Sequence, residues 1–229
     1  MKDQVALITG ATGGIGSAIA SALAAEGVRL FLVGRNFEGL AVPGETFRAD
    51  LTDDAQLRAT AAKALEVYGG VDILVHGIGL FRAGPIATSP VEDLDAQYRV
   101  NLRVPYLLTQ ELLPSLIERQ GQVVFVSSSA GFHPARGNWG AYSATKHALR
   151  ALADSLRDEV NRKGVRVLSV FPGRTATPMQ EEVHRFEGKA YDPARFLQPE
   201  DVAAPIVHAL RLPRTAELTD LHIRPMRGA

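Results

Sequence analysis

The sequence predicts a three-layer α/β/α fold, doubly wound about a parallel sheet of about seven strands. Two observations carry this. Short apolar, β-branched runs alternate along the chain with longer segments of helical periodicity, the pattern of βαβ units. The runs themselves, such as Asp72-Ile73-Leu74-Val75-His76-Gly77-Ile78, are almost continuously apolar, as strands covered by helices on both faces must be. Right-handed crossovers between such strands then place helices on either side of the sheet.

The elements follow in order. Strands are expected at 5–9, 29–33, 46–49, 71–76, 122–127, 165–171 and 218–223. Helices are expected at 14–26, 55–68, 91–120 with a break near Pro105, 141–163 and 201–210. Ser89-Pro90-Val91-Glu92 reads as a helix start, with serine as N-cap, proline in the first turn and glutamate at the third position. Pro199-Glu200-Asp201 opens the last helix in the same manner. Between Asn36 and Glu45, Gly39, Pro43 and Gly44 break the chain too often for a crossover helix, so the connection after the second strand is short.

Composition narrows the class. At 229 residues and 46% hydrophobic content, without a low-complexity linker, one domain spanning 1–229 is expected. Lys plus Arg and Asp plus Glu both total 25 and form no long like-charged block, so neither nucleic acid nor an anionic membrane is an expected partner. The absence of cysteine excludes a disulfide, a thiolate nucleophile and a cysteine metal site. No stretch approaches the roughly 18 continuous apolar residues of a membrane span. The apolar run near Val5 follows no long cationic leader, so a cytoplasmic location is expected.

Between the first strand and first helix stands Thr9-Gly10-Ala11-Thr12-Gly13-Gly14-Ile15-Gly16. Glycine here permits a tight turn and lets backbone amides reach phosphate oxygens at a helix N-terminus, so a dinucleotide is the natural ligand. A plain strand-to-helix turn is the alternative. About 20 residues on, an acidic residue would hold the ribose hydroxyls of NAD; here Gly34, Arg35 and Asn36 follow the second strand. A guanidinium pairs with phosphate and no carboxylate repels one, which favours NADP(H), with NAD(H) second. A solvated surface arginine is the competing reading of Arg35. Asp50, before Leu51 and Thr52, is placed to accept from an adenine amino group, or else to cap the next helix.

Tyr142 and Lys146 stand four apart on one face of a helix. A phenol titrates near 10, and lowering that by about 3 units requires about 4 kcal/mol, a size that a close ammonium in a dry site supplies. The pair therefore points to a tyrosine acid/base supported by a lysine.

The glycine loop, Asp50-Leu51, Asn101, Ser127–Ser129, Tyr142-Ser143-Ala144-Thr145-Lys146 and Pro172-Gly173-Arg174-Thr175-Ala176-Thr177 occur in the order found in short-chain dehydrogenases/reductases. The chain resembles that family over nearly its whole length, which implies a Rossmann-type fold and an NAD(P)-dependent oxidoreductase acting on a small carbonyl or alcohol. The resemblance implies that Tyr142 is the general acid/base and Lys146 its electrostatic partner, bonded to the nicotinamide ribose. Asn101 is similar to the asparagine that holds a water in the proton relay, its alternative being a helix-bending polar residue. Ser128, chosen by the pattern ending at Gly131, would orient the substrate oxygen, with Ser129 as runner-up. Pro172 and Gly173 resemble the segment beside the carboxamide, with Thr175 and Thr177 as hydroxyl contacts. Residues 178–198 resemble a substrate lid, and a homodimer or homotetramer is expected by analogy.

Two departures stand out. Ser128 and Tyr142 are 14 residues apart, one more than in many relatives, so the loop 132–141 is expected to be extended, with Trp139 at the substrate mouth or simply packed. Where many relatives have Asn-Asn-Ala-Gly, this chain has His76-Gly77-Ile78-Gly79. Gly77 still permits close cofactor approach, while His76 either replaces the lost asparagine bonds or is a buried, satisfied imidazole.

Other classes fit less well. The six histidines show no ligand spacing, so no metal is expected. Ser128, His147 and Asp154 lack a nucleophile elbow, so a serine hydrolase is disfavoured and His147 reads as a surface or packing residue. An epimerase would need more chain for its substrate. A non-catalytic NADP-binding sensor or scaffold on the same fold is the remaining alternative to the enzyme.

Overall fold

The computed structural model describes residues 1–133 and 138–226. Among these, seven strands form one parallel sheet: β1 (Val5–Thr9), β2 (Arg29–Gly34), β3 (Glu45–Arg48), β4 (Ile73–His76), β5 (Gln122–Val126), β6 (Arg166–Pro172) and β7 (Asp220–Ile223). Their order is β3-β2-β1-β4-β5-β6-β7. Every residue of β1, β4 and β5 is buried, which explains their unbroken apolar character.

Among the described residues seven α-helices cover the sheet: α1 (Gly14–Ala25), α2 (Asp54–Tyr68), α3 (Val91–Tyr98), α4 (Val104–Glu118), α5 (Gly140–Val160), α6 (Pro178–Glu187) and α7 (Pro199–Leu210). Side chains alternate along each strand, so two cores result. Leu7, Leu74 and Phe125 meet Leu57, Leu108 and Leu149 of α2, α4 and α5, while Ile8, Val75 and Val124 meet Ile19 and Ile206 of α1 and α7. The strand order reverses beside β1, between β2 and β4, and the crevice beyond the strands' C-terminal ends there is where open α/β sheets bind ligands.

Local signals shifted several boundaries. The Ser89 hydroxyl does not cap α3: it donates to the Pro85 carbonyl at 2.8 Å, and Pro90 occupies the N-cap position. The helical run from Val91 does not break at Pro105 but passes through a π-helical turn over Arg99–Arg103. Proline has no N–H to offer the Asn101 carbonyl four residues earlier, and just before it the Val104 amide reaches back five residues to the Arg99 carbonyl. Asp50 is not the cap of α2; Asp53 is, accepting from the amides of Ala55 and Gln56. The connection from β2 to β3 contains no helix, as the glycines and Pro43 required. Residues 178–198 fold as α6 and a short 3-10 turn, Pro193–Arg195.

Candidate active site

Two connected recesses open at the sheet's C-terminal edge. The longer, about 480 Å³, runs from the glycine loop to the end of β2. Gly10, Thr12, Gly13, Gly14, Ile15 and Gly16 form its floor, Arg35, Asp50 and Leu51 its far end, and Gly77 and Thr177 its near end. The smaller, about 140 Å³, holds Ser128, Tyr142 and Lys146 together with Pro172, Gly173 and Thr175, and shares Ile15, Gly77 and Thr177 with the first. Asn36 lines neither: its side-chain oxygen accepts from the Glu38 amide. Asn101 lies behind the cavity wall.

The long recess fits a dinucleotide. Gly10 has φ +68°, and a Cβ on Gly16 would come within 2.1 Å of the Gly10 carbonyl oxygen, so the loop has no room for larger residues. No side chain among the described residues caps α1, whose first turn also lacks an acidic residue. Its free amides and dipole are the donor set a pyrophosphate requires. Thr9 sets the opposite wall, its hydroxyl donating to the Val75 carbonyl and accepting from the Gly77 amide at 3.1 Å. Sequence reasoning missed this role, since Thr9 reads simply as the last strand residue. At the far end, hydrogen bonds from the Thr52 amide and hydroxyl hold the Asp50 carboxyl below its ordinary value, with the Arg35 charge adding a smaller pull.

In the smaller cavity Tyr142 and Lys146 lie one turn apart on α5, 7% and 3% exposed. Burial pushes the Tyr142 phenol up to about 12, against a hydrogen bond with Ser128 that pulls it down. Burial pushes the Lys146 ammonium down to about 8. The expected lowering of the phenol by Lys146 is therefore absent from the protein alone. The lysine Nζ sits 5.8 Å from the phenol ring centre and donates to the Val126 carbonyl at 3.2 Å, and desolvation outweighs its charge.

The three serines differ. Ser127 donates to the Lys146 carbonyl, Ser128 accepts from the Ala130 amide and meets Tyr142, and Ser129 starts a 3-10 turn, Ser129–Gly131. The Asn101 side-chain amide accepts from the Leu80 amide and donates to the Leu80 carbonyl and the Thr145 hydroxyl, which uses both of its N–H bonds. Thr175 donates to the Gly173 carbonyl, and Thr177 caps α6 by accepting from the Gln180 amide.

The walls around Tyr142 are apolar. Phe81 meets its ring edge-on at 5.1 Å, Trp139 meets Phe81 edge-on at 5.2 Å, and Met179 and Val183 of α6 close the cluster. Phe81, Val183 and Arg174 were not assigned to the site from sequence; nothing in the local pattern marks the first two, and Arg174 lies inside the Pro172–Thr177 motif without a role of its own. The expected extension of 132–141 includes 134–137, outside the described residues. His76 is buried, but half-satisfied: Nε2 lies 2.8 Å from the Thr109 hydroxyl while Nδ1 has no hydrogen-bond partner among the described residues. His147 is exposed on α5 and bonds its own helix at Ser143. No described helix is long and apolar enough to cross a membrane.

Comparison with known proteins agrees with this geometry. Residues 4–188 match the family described as short chain dehydrogenase. An uncharacterized oxidoreductase of Staphylococcus epidermidis is 32% identical, with 99% of each chain covered. Among solved structures, the actinorhodin polyketide ketoreductase with NADPH superposes with TM-score 0.89 at 28% identity, covering 98% of both chains. The 3-ketoacyl-(acyl-carrier-protein) reductase of Brucella melitensis complexed with NADH gives 0.87 at 26% identity, covering 99% of this chain and 98% of that one.

Proposed function

The chain belongs to the short-chain dehydrogenase family and is an oxidoreductase, and from this premise we propose that it transfers a hydride between NADP(H) and a small carbonyl or alcohol, with Tyr142 as general acid and base. The observation that carries the reading is the convergence of Ser128, Tyr142 and Lys146 on one apolar cavity that opens into the glycine-floored recess.

When bound, the nicotinamide supplies or accepts the hydride. The protein's own groups handle the proton. Ser128 accepts from the Ala130 amide and hydrogen-bonds Tyr142, so a substrate oxygen placed between the two hydroxyls takes over the Ser128 O–H and is held beside Tyr142. With its phenol near 12, Tyr142 rests protonated and in reduction donates that proton to the carbonyl oxygen. The Lys146 ammonium, steered by the Val126 carbonyl, stabilises the phenolate left behind. Asn101 spends both side-chain N–H bonds within the protein, and its Oδ1 already accepts one bond. Its relay role falls to its main-chain carbonyl, which Pro105 cannot bond, accepting from a water that returns the proton toward Lys146. Phe81, Trp139 and Val183 exclude bulk water, which strengthens each of these interactions.

Arg35 at the open end of the recess, with no carboxylate at positions 34–36, supports preference for a 2′-phosphate. Residues 178–198 serve as the substrate lid, pinned where the Ala176 amide donates to the Leu197 carbonyl. Assembly as a dimer or tetramer is the family's pattern, and the exposed rings of Tyr98 and Tyr106 along the α3–α4 run support it here.

The test is fluorescence titration with NADPH and NADH, followed by NADPH oxidation against aldehydes, ketones and quinones. Turnover that Tyr142→Phe reduces by about 100-fold or more while nucleotide affinity stays within about threefold supports the mechanism. Undiminished turnover in that variant overturns it.

A further inference from the structure

We infer that Glu187 sets the charge preference of the substrate cavity by neutralising Arg174, so that the cavity takes an uncharged, apolar carbonyl and discriminates against its carboxylate-bearing analogue. This rests on the reductase reading above and goes further, to the class of substrate.

The walls come first. The cavity is shared with the nicotinamide end of the recess through Pro172, Gly173, Thr175 and Thr177, and the substrate's share lies beside Tyr142. Beside Tyr142 its faces are Phe81, Trp139, Met179 and Val183, which offer edge and face contacts to a ring and nothing to a charge.

Two charged residues occur in the described lining, Lys146 and Arg174. Lys146 is committed behind Tyr142. Arg174 looks like a carboxylate receptor, yet its charge is already matched. Its Nη2 donates to Glu187 Oε1 at 2.6 Å, and its guanidinium lies over Trp139 at 5.6 Å from the ring centre. Both partners are largely buried, with side chains 23% and 15% exposed. Lys189 Nζ lies 3.0 Å from the other Glu187 oxygen, within ion-pair distance but outside hydrogen-bond geometry, and is itself well exposed.

Helix spacing explains how the acid arrives there. Met179, Val183 and Glu187 are successive i, i+4 positions on one stripe of α6. The first two give that stripe its apolar contact with the cavity; the third turns it into an ion pair with the loop that follows β6. A substrate carboxylate would give up its water and then compete with Glu187 for Arg174, leaving either itself unpaired or Glu187 with the exposed Lys189 as its one cation. A neutral ring meets no such cost. Specificity here works by withholding a cation.

The experiment compares matched substrates: benzaldehyde with 4-carboxybenzaldehyde, and cyclohexanone with 4-oxocyclohexanecarboxylate, each with NADPH and NADH. In the wild type, kcat/KM should favour the neutral member of each pair by about tenfold or more. Glu187→Gln should move that ratio toward the anion by about tenfold or more, chiefly through KM, because the freed guanidinium can pair bidentately with the substrate. Adding Arg174→Leu should abolish the gain; a lid merely loosened by the first substitution would keep it. Equal use of both members by the wild type, an unmoved ratio in Glu187→Gln, or a gain that survives in the double variant each overturns the inference and leaves the reductase reading standing. Turnover of none of the four with either nucleotide overturns that reading, and the inference with it.

Discussion

Lys146 and Tyr142 lie one helical turn apart, the lysine Nζ 5.8 Å from the phenol ring centre, and burial favours the neutral form of both. Lys146, at about 8, is still mainly an ammonium at neutral pH, while Tyr142, at about 12, keeps its proton. The sign of the pH dependence follows. Carbonyl reduction uses the protonated phenol and the charged lysine, both present below pH 8; as pH rises through about 8 the ammonium is lost first. The expected profile of kcat/KM for reduction is flat near neutrality and falls above an apparent pKa of about 8. Lys146→Met should lower the plateau by about 100-fold or more and remove that limb. A wild-type limb near 10 instead would mean that the buried lysine does not control it.

Arg35 is exposed at the end of the recess, and its value to the cofactor is therefore electrostatic and screened by salt. Arg35→Asp should weaken NADPH by about 10- to 100-fold and leave NADH within about threefold. In the wild type, the ratio of the two affinities should shrink as ionic strength rises. Equal losses for both nucleotides on titration would remove Arg35 from 2′-phosphate recognition.

What was legible in the sequence was what local chemistry alone decides. The span Val5–Thr9 was readable to the residue because an unbroken apolar run meets glycine, and Tyr142 with Lys146 because helical spacing puts both on one face. What failed depended on competition. Ser89 has the right chemistry for a cap, but the Pro85 carbonyl takes its hydroxyl. Asn36 sits beside Arg35 in sequence, yet its side chain turns back to the Glu38 amide. Helix α6 escaped notice because Met179 and Val183 are spaced among charges and its cap, Thr177, was assigned to a ligand instead. Arg174 was inside a recognised motif; its meaning came from Glu187, which the path of α6 alone brings within reach.

The glycine loop gives a stability prediction. A methyl on Gly16 would lie 2.1 Å from the Gly10 carbonyl oxygen, a backbone atom that cannot rotate away, whereas on Gly13 it would lie 3.3 Å from that same atom. Gly16→Ala should therefore cost about 2–3 kcal/mol, lowering Tm by about 5–10 °C, and should abolish measurable nucleotide binding. Gly13→Ala should cost clearly less. Equal melting temperatures for the two variants would show that the turn yields more than its geometry implies.

His76 connects the departure at the end of β4 to acid stability. Its ring stacks on Phe125 with centroids 4.8 Å apart, Nε2 bonds the Thr109 hydroxyl, and burial drives the imidazole down to about 3. In the unfolded chain the same group titrates near its ordinary 6.5. Below that value the unfolded state takes up a proton that the folded state refuses. The contribution is thus fully present above pH 6.5 and is lost as pH falls toward 3, at about 1.4 kcal/mol per unit. An amide does not titrate, so His76→Asn should remove this part of the acid limb whatever it does to stability at neutrality. Urea unfolding at pH 7, 6 and 5 should find the wild type losing about 2 kcal/mol more than the variant across that range. A constant difference between the two proteins would mean that protons reach Nδ1 in the folded state, and that the imidazole is less enclosed than its packing against Phe125 and Thr109 requires.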